Sequence, residues 1–244
     1  MASEPGGRAN KLGNEFETLW TVRQLIELAT GKAVAVRIEP LGDDEKGTEF
    51  WVARPDGTRE AHQCKRENGS VGHWSVVALE ARGVISNAKF QLDRDPAHRF
   101  VFISGDRAPH LSDLCERAAE RCESPSEFRQ YLAVTSRQLF QEFQALCSCL
   151  GVDPNTANGV EQALDFLRRF LPLSEDKRQL RWEVAEARDH RTRRPFDADM
   201  LAKVLLRLYE QAETERDLRR RCLDAWDRLI ARGIGRDVLG RIDA

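Results

Sequence analysis

In the stretch DGTREAHQCKRENG, residues 56 to 69, Gln63 and Lys65 stand two positions apart in a segment that reads as a β-strand. Strand alternation puts Ala61, Gln63 and Lys65 on one face and His62 and Cys64 on the other. The Cα atoms of Gln63 and Lys65 then lie about 6.6 Å apart, at ~3.3 Å rise per residue. At that spacing an amide oxygen and an ammonium group can flank one metal ion or one phosphate. A lysine near a sheet edge also serves simply to discourage strand pairing, so the pair alone does not define a site.

A neighbour sharpens the chemistry. Glu49 opens the preceding strand-like run, TEFWVAR (48–54), and PDG at 55–57 is a turn signal before TREAHQCK. In an antiparallel hairpin the start of one strand lies opposite the end of the next, so Glu49 is expected to meet Gln63 and Lys65. A carboxylate, an amide oxygen and an ammonium group suit a hard cation together with a polyanion. Mg²⁺ in particular prefers one or two carboxylates, several waters and substrate phosphate oxygens. Asp43 and Asp44 in the loop PLGDDEKG, and Glu39 before Pro40, are rival acids for the Glu49 position.

The elements that must position these residues are legible in the first hundred positions as α-β-β-β-α-β. A helix is expected from about Glu15 to Ala29, where Phe16, Leu19, Trp20 and Ile26 fall at helical spacing. KAVAVRIE (32–39), TEFWVAR (48–54) and TREAHQCK (58–65) read as strands, and the last two as a hairpin. A helix or helix pair around Gly83 follows, and then a β-rich run, HRFVFISG (98–105). From about Pro109 no strand-like run persists and an all-α region is expected. There SPSEF (124–128) reads as a capping box and Gly151 as a stop, with LPLSED (171–176) and RPFDAD (194–199) opening later helices. The expected organisation is a short mobile tail over 1–10, an α/β core over 11–108 and a helical region over 109–244.

These features resemble the PD-(D/E)xK nuclease superfamily, which pairs an acid on one strand with a (Glu/Gln)-x-Lys on the next. The matching positions are Glu49 and Gln63-Cys64-Lys65, within the element order of a restriction-endonuclease-like αβββαβ core. More narrowly, GNEFETLWTVRQL, EPLGDDEKGTEFWV and HQCKR look like double-stranded DNA endonuclease domains of bacterial antiphage systems. Such domains include the nucleases tied to cyclic-oligonucleotide signalling and those preceding antiviral STAND ATPases. The resemblance covers about residues 10 to 105. It implies Mg²⁺- or Mn²⁺-dependent cleavage of double-stranded DNA, with Glu49, Gln63 and Glu17 of the first helix holding the metal and Lys65 orienting water or neutralising charge. It also implies homo-oligomerisation as a switch, and C-terminal ATPase or sensor domains in a longer protein. Gln63 replaces the commoner Glu, which leaves a neutral oxygen donor and one negative charge fewer. A nuclease-fold module that binds nucleic acid or assembles without catalysis is the alternative.

Composition bounds the rest. The chain of 244 residues is 41% hydrophobic and 32% charged, which fits a globular domain or two. No apolar run approaches the ~18 residues of a membrane span, and the first ten residues lack the apolar core of a signal peptide. The six cysteines show no CxxC pair, which argues against a secreted disulfide framework and for the cytoplasm. With a formal net charge of −2, contact with DNA must come from a local patch. Arg66 and Lys89 are the candidate phosphate contacts, Arg82 and the cluster RDHRTRR (188–194) are weaker ones, and Trp74 is expected in the core.

Overall fold

The computed structural model describes residues 15–29, 32–38, 40–65, 72–120, 124–176, 178–182, 184, 217 and 220. Its elements are α1 (Glu15–Ala29), β1 (Ala35–Ile38), β2 (Phe50–Ala53), β3 (Arg59–Lys65), α2 (Val76–Ala81), α3 (Val84–Asp93), β4 (His98–Ser104), α4 (Pro109–Ala119), α5 (Pro125–Thr135), α6 (Arg137–Leu150), α7 (Ala157–Arg169) and β5 (Phe170–Ser174). The protein is mixed α/β. One five-stranded sheet has its strands in chain order, β1-β2-β3-β4-β5.

Connection length explains the strand directions. Five residues join β2 to β3 through a turn closed by the Gly57 amide on the Arg54 carbonyl at 3.1 Å, so these two strands run antiparallel. The link from β3 to β4 holds two helices and the link from β4 to β5 holds four. Both pairs are parallel, with Gln63 opposite Phe102, Lys65 opposite Ser104 and Ser104 opposite Ser174.

The chain divides into two compact units, and the division does not follow chain order. One takes its described residues from Met1–Arg37, Val52–Gly57 and Asp176–Ala244; the other takes them from Ile38–Trp51 and Thr58–Glu175. In the first, α1 buries Phe16, Leu19, Trp20, Val22, Leu25 and Leu28, the stripe that its 3.6-residue period dictates. Arg54 donates to Glu27 at 2.5 Å and to Gln24 at 3.2 Å, and the Val34 amide donates to the Ala53 carbonyl at 2.8 Å.

In the second unit, one face of β3 and β4 (Ala61, Phe100, Phe102) shares a core with Trp74, Val84, Ile85, Phe128, Phe143, Leu164 and Phe170. Each fully buried side chain of this size stabilises the fold by about 1.5–3 kcal/mol relative to exposure. Gly83, at φ +70°, separates α2 from α3 in a left-handed turn that a side chain would strain. Ser124 caps α5 by accepting from the Glu127 amide, and Gly151 ends α6 at φ +72°.

One expectation is corrected. Residues 170–174, read from sequence as lying in an all-α region, form strand β5 beside β4. Pro172 supplies the reason. Its ring would clash with the carbonyl of residue 168 if the helix went on, and it holds Leu171 extended. As an edge strand, β5 tolerates the amide that proline lacks.

Candidate functional site

Gln63 and Lys65 occupy the last turn of pleat in β3, beside Phe102 and Ser104 of β4. The neighbouring β4 residues fix which face this is. Trp74 packs edge-on against Phe102, with ring centroids 5.8 Å apart, and its indole Nε1 donates to Ser104 Oγ at 2.8 Å. Trp74 is thus a core residue, 2% exposed, that locks the end of β4. The Asp106 amide donates to the same hydroxyl at 3.2 Å.

Gln63 is 4% exposed, and its side-chain oxygen Oε1 is buried without a hydrogen-bond partner. Leaving an amide acceptor buried and unmet costs about 1–3 kcal/mol. Such an atom asks for an occupant, and an amide oxygen suits a hard cation or a donor group. Two residues on, Lys65 is partly buried, and its ammonium group makes no ion pair or hydrogen bond within the described residues.

Glu49, the residue before β2, reaches the same part of the sheet through its backbone. Its amide donates to the His62 carbonyl at 2.8 Å, while the next residue, Phe50, stacks its ring on His62 with centroids 4.7 Å apart. The Glu49 backbone thus lies beside His62, one residue before Gln63. Glu49 is partly exposed.

The loop leading into Glu49 is held from the helical side. The amide nitrogen of the fully buried Gln91 in α3 donates to the carbonyls of Asp43, at 2.8 Å, and Lys46, at 2.9 Å. The Trp51 indole donates to the Asp44 carbonyl at 2.9 Å, and Arg94 pairs with the Asp44 carboxylate at 2.8 Å. Gly47, at φ +66°, lies so close to Asn87 that an added Cβ would fall 2.3 Å from that side chain. Of the rival acids, Asp44 is thus engaged by Arg94, Asp43 is exposed, and Glu39 lies outside the described residues.

The remaining candidates are placed as follows. Glu17 sits on α1 in the other unit, partly exposed, its carbonyl accepting from Thr21 Oγ1 at 2.9 Å. Arg66 and the cluster at 188–194 lie outside the described residues. Lys89 is ion-paired with Asp93 on α3. Two residues beyond it, the Gln91 carbonyl meets His98 Nδ1 at 2.9 Å, at the N-terminal end of β4. Lys89 is therefore carried toward the opposite end of the sheet from Lys65.

Three features escaped the sequence reading: the bond from the Glu49 amide to the His62 carbonyl, the Gln91 clamp, and a buried pair on the other face of β3, where His62 Nε2 lies 3.2 Å from Glu60 Oε2. A polar residue on an otherwise apolar helix face, as Gln91 is in VISNAKFQLD, was the available signal for the clamp.

Among the described residues, no three or more His, Cys, Asp or Glu side chains group to hold a metal ion. The candidate donors in this unit are one carboxylate, on Glu49, and one amide oxygen, on Gln63, that is unbonded among the described residues. That set fits a cation that keeps most of its water, as Mg²⁺ does, and does not fit a closed protein cage. Among the described residues no helix is long and apolar enough to cross a membrane. Comparison with protein-family models, with curated proteins and with solved structures gave no match for this chain.

Proposed function

We propose that the protein is a metal-dependent endonuclease that hydrolyses phosphodiester bonds of double-stranded DNA, an effector of bacterial antiphage defence built on a restriction-endonuclease-like core. The observation that carries this reading is the orphaned Gln63 oxygen two residues from Lys65, both without a partner among the described residues, at the end of a strand to which the Glu49 backbone is bonded. The element order supports it: one helix, three strands, a helix pair, then a fourth strand parallel to the third.

Glu49 and the Gln63 oxygen would hold Mg²⁺ or Mn²⁺. When bound, the ion polarises a phosphoryl oxygen and lowers the pKa of a water molecule. Lys65 places a positive charge where negative charge develops on the phosphoryl group, or orients the attacking water. Trp74, by fixing Ser104 beside Lys65, keeps the strand ends in register and excludes water from the sheet side of the site. Glu17 enters only through the resemblance.

The test is incubation of the purified protein with supercoiled plasmid and Mg²⁺, with and without EDTA. Conversion to nicked and linear forms that EDTA abolishes is the expected result. Intact plasmid under both conditions sinks the reading. The second reading, a nuclease-fold module without catalysis, draws on the lack of a cluster of three metal-ligating side chains among the described residues. It predicts DNA retention in a gel without cleavage.

A further inference from the structure

We infer that Arg107 is a phosphate-backbone contact of this site, holding a phosphate of the duplex next to the one that Lys65 faces. The inference rests on the nuclease reading for its substrate and on the backbone for its geometry. Lys65 ends β3 directly opposite Ser104, the last residue of β4, and Arg107 follows three residues later. The chain after β4 does not wander. Arg107 forms an isolated parallel bridge with His73, and its carbonyl accepts from the Trp74 amide at 2.7 Å.

Trp74 is also the residue whose indole binds Ser104. One buried residue, through its indole and its backbone amide, therefore ties together the end of β4, the turn carrying Arg107 and the segment that enters α2. The guanidinium of Arg107 is exposed and makes no ion pair or hydrogen bond within the described residues. Arg94 pairs with Asp44, Arg117 with Asp113, Arg168 with Glu161 and Arg169 with Asp165, while Arg82, Arg99 and Arg137, like Arg107, are unengaged among the described residues; what distinguishes Arg107 is its place just past the end of β4.

The carboxyl ends of β3, β4 and β5 lie at one edge, because the three strands are parallel and in register from Lys65 through Ser104 to Ser174. In open α/β sheets ligands bind outside the carboxyl ends of the strands. An anchored backbone carrying a guanidinium unengaged among the described residues, three residues past the strand partner of Lys65, is suited to a phosphate, which arginine binds in bidentate fashion. His73, itself exposed, stands on the same bridge. Asp106, partly buried, is held through its amide to Ser104, and Glu175 through its amide to the Ser104 carbonyl at 3.0 Å. Both acids lie at the same edge, so the duplex must be met by directed contacts rather than by a uniformly basic surface.

The experiment uses the full chain and a blunt 30-base-pair duplex, with Ca²⁺ in place of Mg²⁺ for binding and Mg²⁺ for cleavage. Arg107→Ala should weaken binding and raise KM about five- to twentyfold, leave kcat within about twofold, and flatten the slope of log K against log salt by about one. Arg107→Lys should retain the salt slope, and Arg168→Ala on α7 should leave both quantities unchanged. A thermal melt confirms that the variants fold. Wild-type cleavage with Arg107→Ala unchanged in KM, affinity and salt slope overturns the contact and leaves the nuclease reading standing. Binding without wild-type cleavage, but with the predicted loss in Arg107→Ala, supports the contact and sinks the catalytic reading. No binding by the wild type overturns both.

Discussion

A buried acceptor without a donor is the point at which this protein departs from what stability alone would select. Gln63 Oε1 has no partner, and replacing it with an apolar group of similar length removes an unmet polar atom. Gln63→Leu is therefore expected to leave stability unchanged or raise it by up to about 1 kcal/mol, while abolishing plasmid cleavage. Urea denaturation and a nicking assay on the same preparation check the two halves. A loss of more than ~1 kcal/mol would mean that the oxygen is satisfied in solution. Lys65→Ala tests the neighbouring group. Removing one electrostatic stabiliser typically lowers a rate by about a hundred- to a thousandfold, whereas a partly exposed strand-end lysine contributes within about 0.5 kcal/mol to stability. Cleavage by this variant at the wild-type rate would exclude Lys65 from the chemistry.

At the scale of elements, the loop into β2 and its clamp decide where Glu49 sits. Gln91 reaches from α3 to two carbonyls of that loop, and its own Oε1 accepts from Arg94 at 2.7 Å. Gln91→Ala removes the donor of the Asp43 carbonyl and leaves the Lys46 carbonyl only the longer bond from Thr48 Oγ1, at 3.4 Å. The expected result is a stability loss of about 1–3 kcal/mol together with a higher Mg²⁺ concentration for half-maximal cleavage, because the acid is less well placed. A Mg²⁺ titration that superimposes on the wild type would separate the clamp from the site. The bond from the Glu49 amide to the His62 carbonyl matters for the same reason: it holds the backbone of the proposed metal ligand against β3.

For the whole molecule, the thiols report on how tightly the second unit is closed. Cys64, Cys115 and Cys147 are buried. Burial, helped by Asp153, pushes the Cys147 thiol up from 9.0 to about 12, and burial with Glu116 raises Cys115 further. In both cases the folded protein keeps a proton that the unfolded chain sheds near pH 9. Stability from this source is complete below that pH and is lost as pH rises toward 12. Urea midpoints should therefore fall between pH 9 and 11, and less steeply in Cys147→Ala. Mass-spectrometric mapping of native-state alkylation should find these three thiols unmodified. Assembly belongs to this scale as well. If pairing of protomers switches the nuclease on, cleavage per protomer falls on dilution in step with the mass measured by light scattering. Constant specific activity from a monomer over a hundredfold dilution would dismiss that switch.

The sequence by itself determined whatever has a short-range cause. The α1 helix, the Pro55-Asp56-Gly57 turn, the break at Gly83, the Ser124 cap and the Gly151 stop are local steric and hydrogen-bonding choices, and the structure places each where expected, although the buried face of α1 runs through Val22, Leu25 and Leu28 rather than Arg23 and Ile26. The spacing of Gln63 and Lys65 on one strand face is of the same kind. Tertiary structure alone decided what depends on partners far along the chain. Five residues at 170–174 become a strand only because β4 offers a free edge; locally they are a proline-broken end of α7. Helices from residue 109 onward join β3 and β4 in one core, because apolar faces with no partner nearby in sequence find one in the sheet. The orphan state of the Gln63 oxygen among the described residues, the backbone bond that ties Glu49 to His62 and the bridge that anchors Arg107 are properties of contacts between segments more than ten residues apart. Periodicity and spacing carry no record of such contacts, because they form only when burial forces separate elements to share one interior.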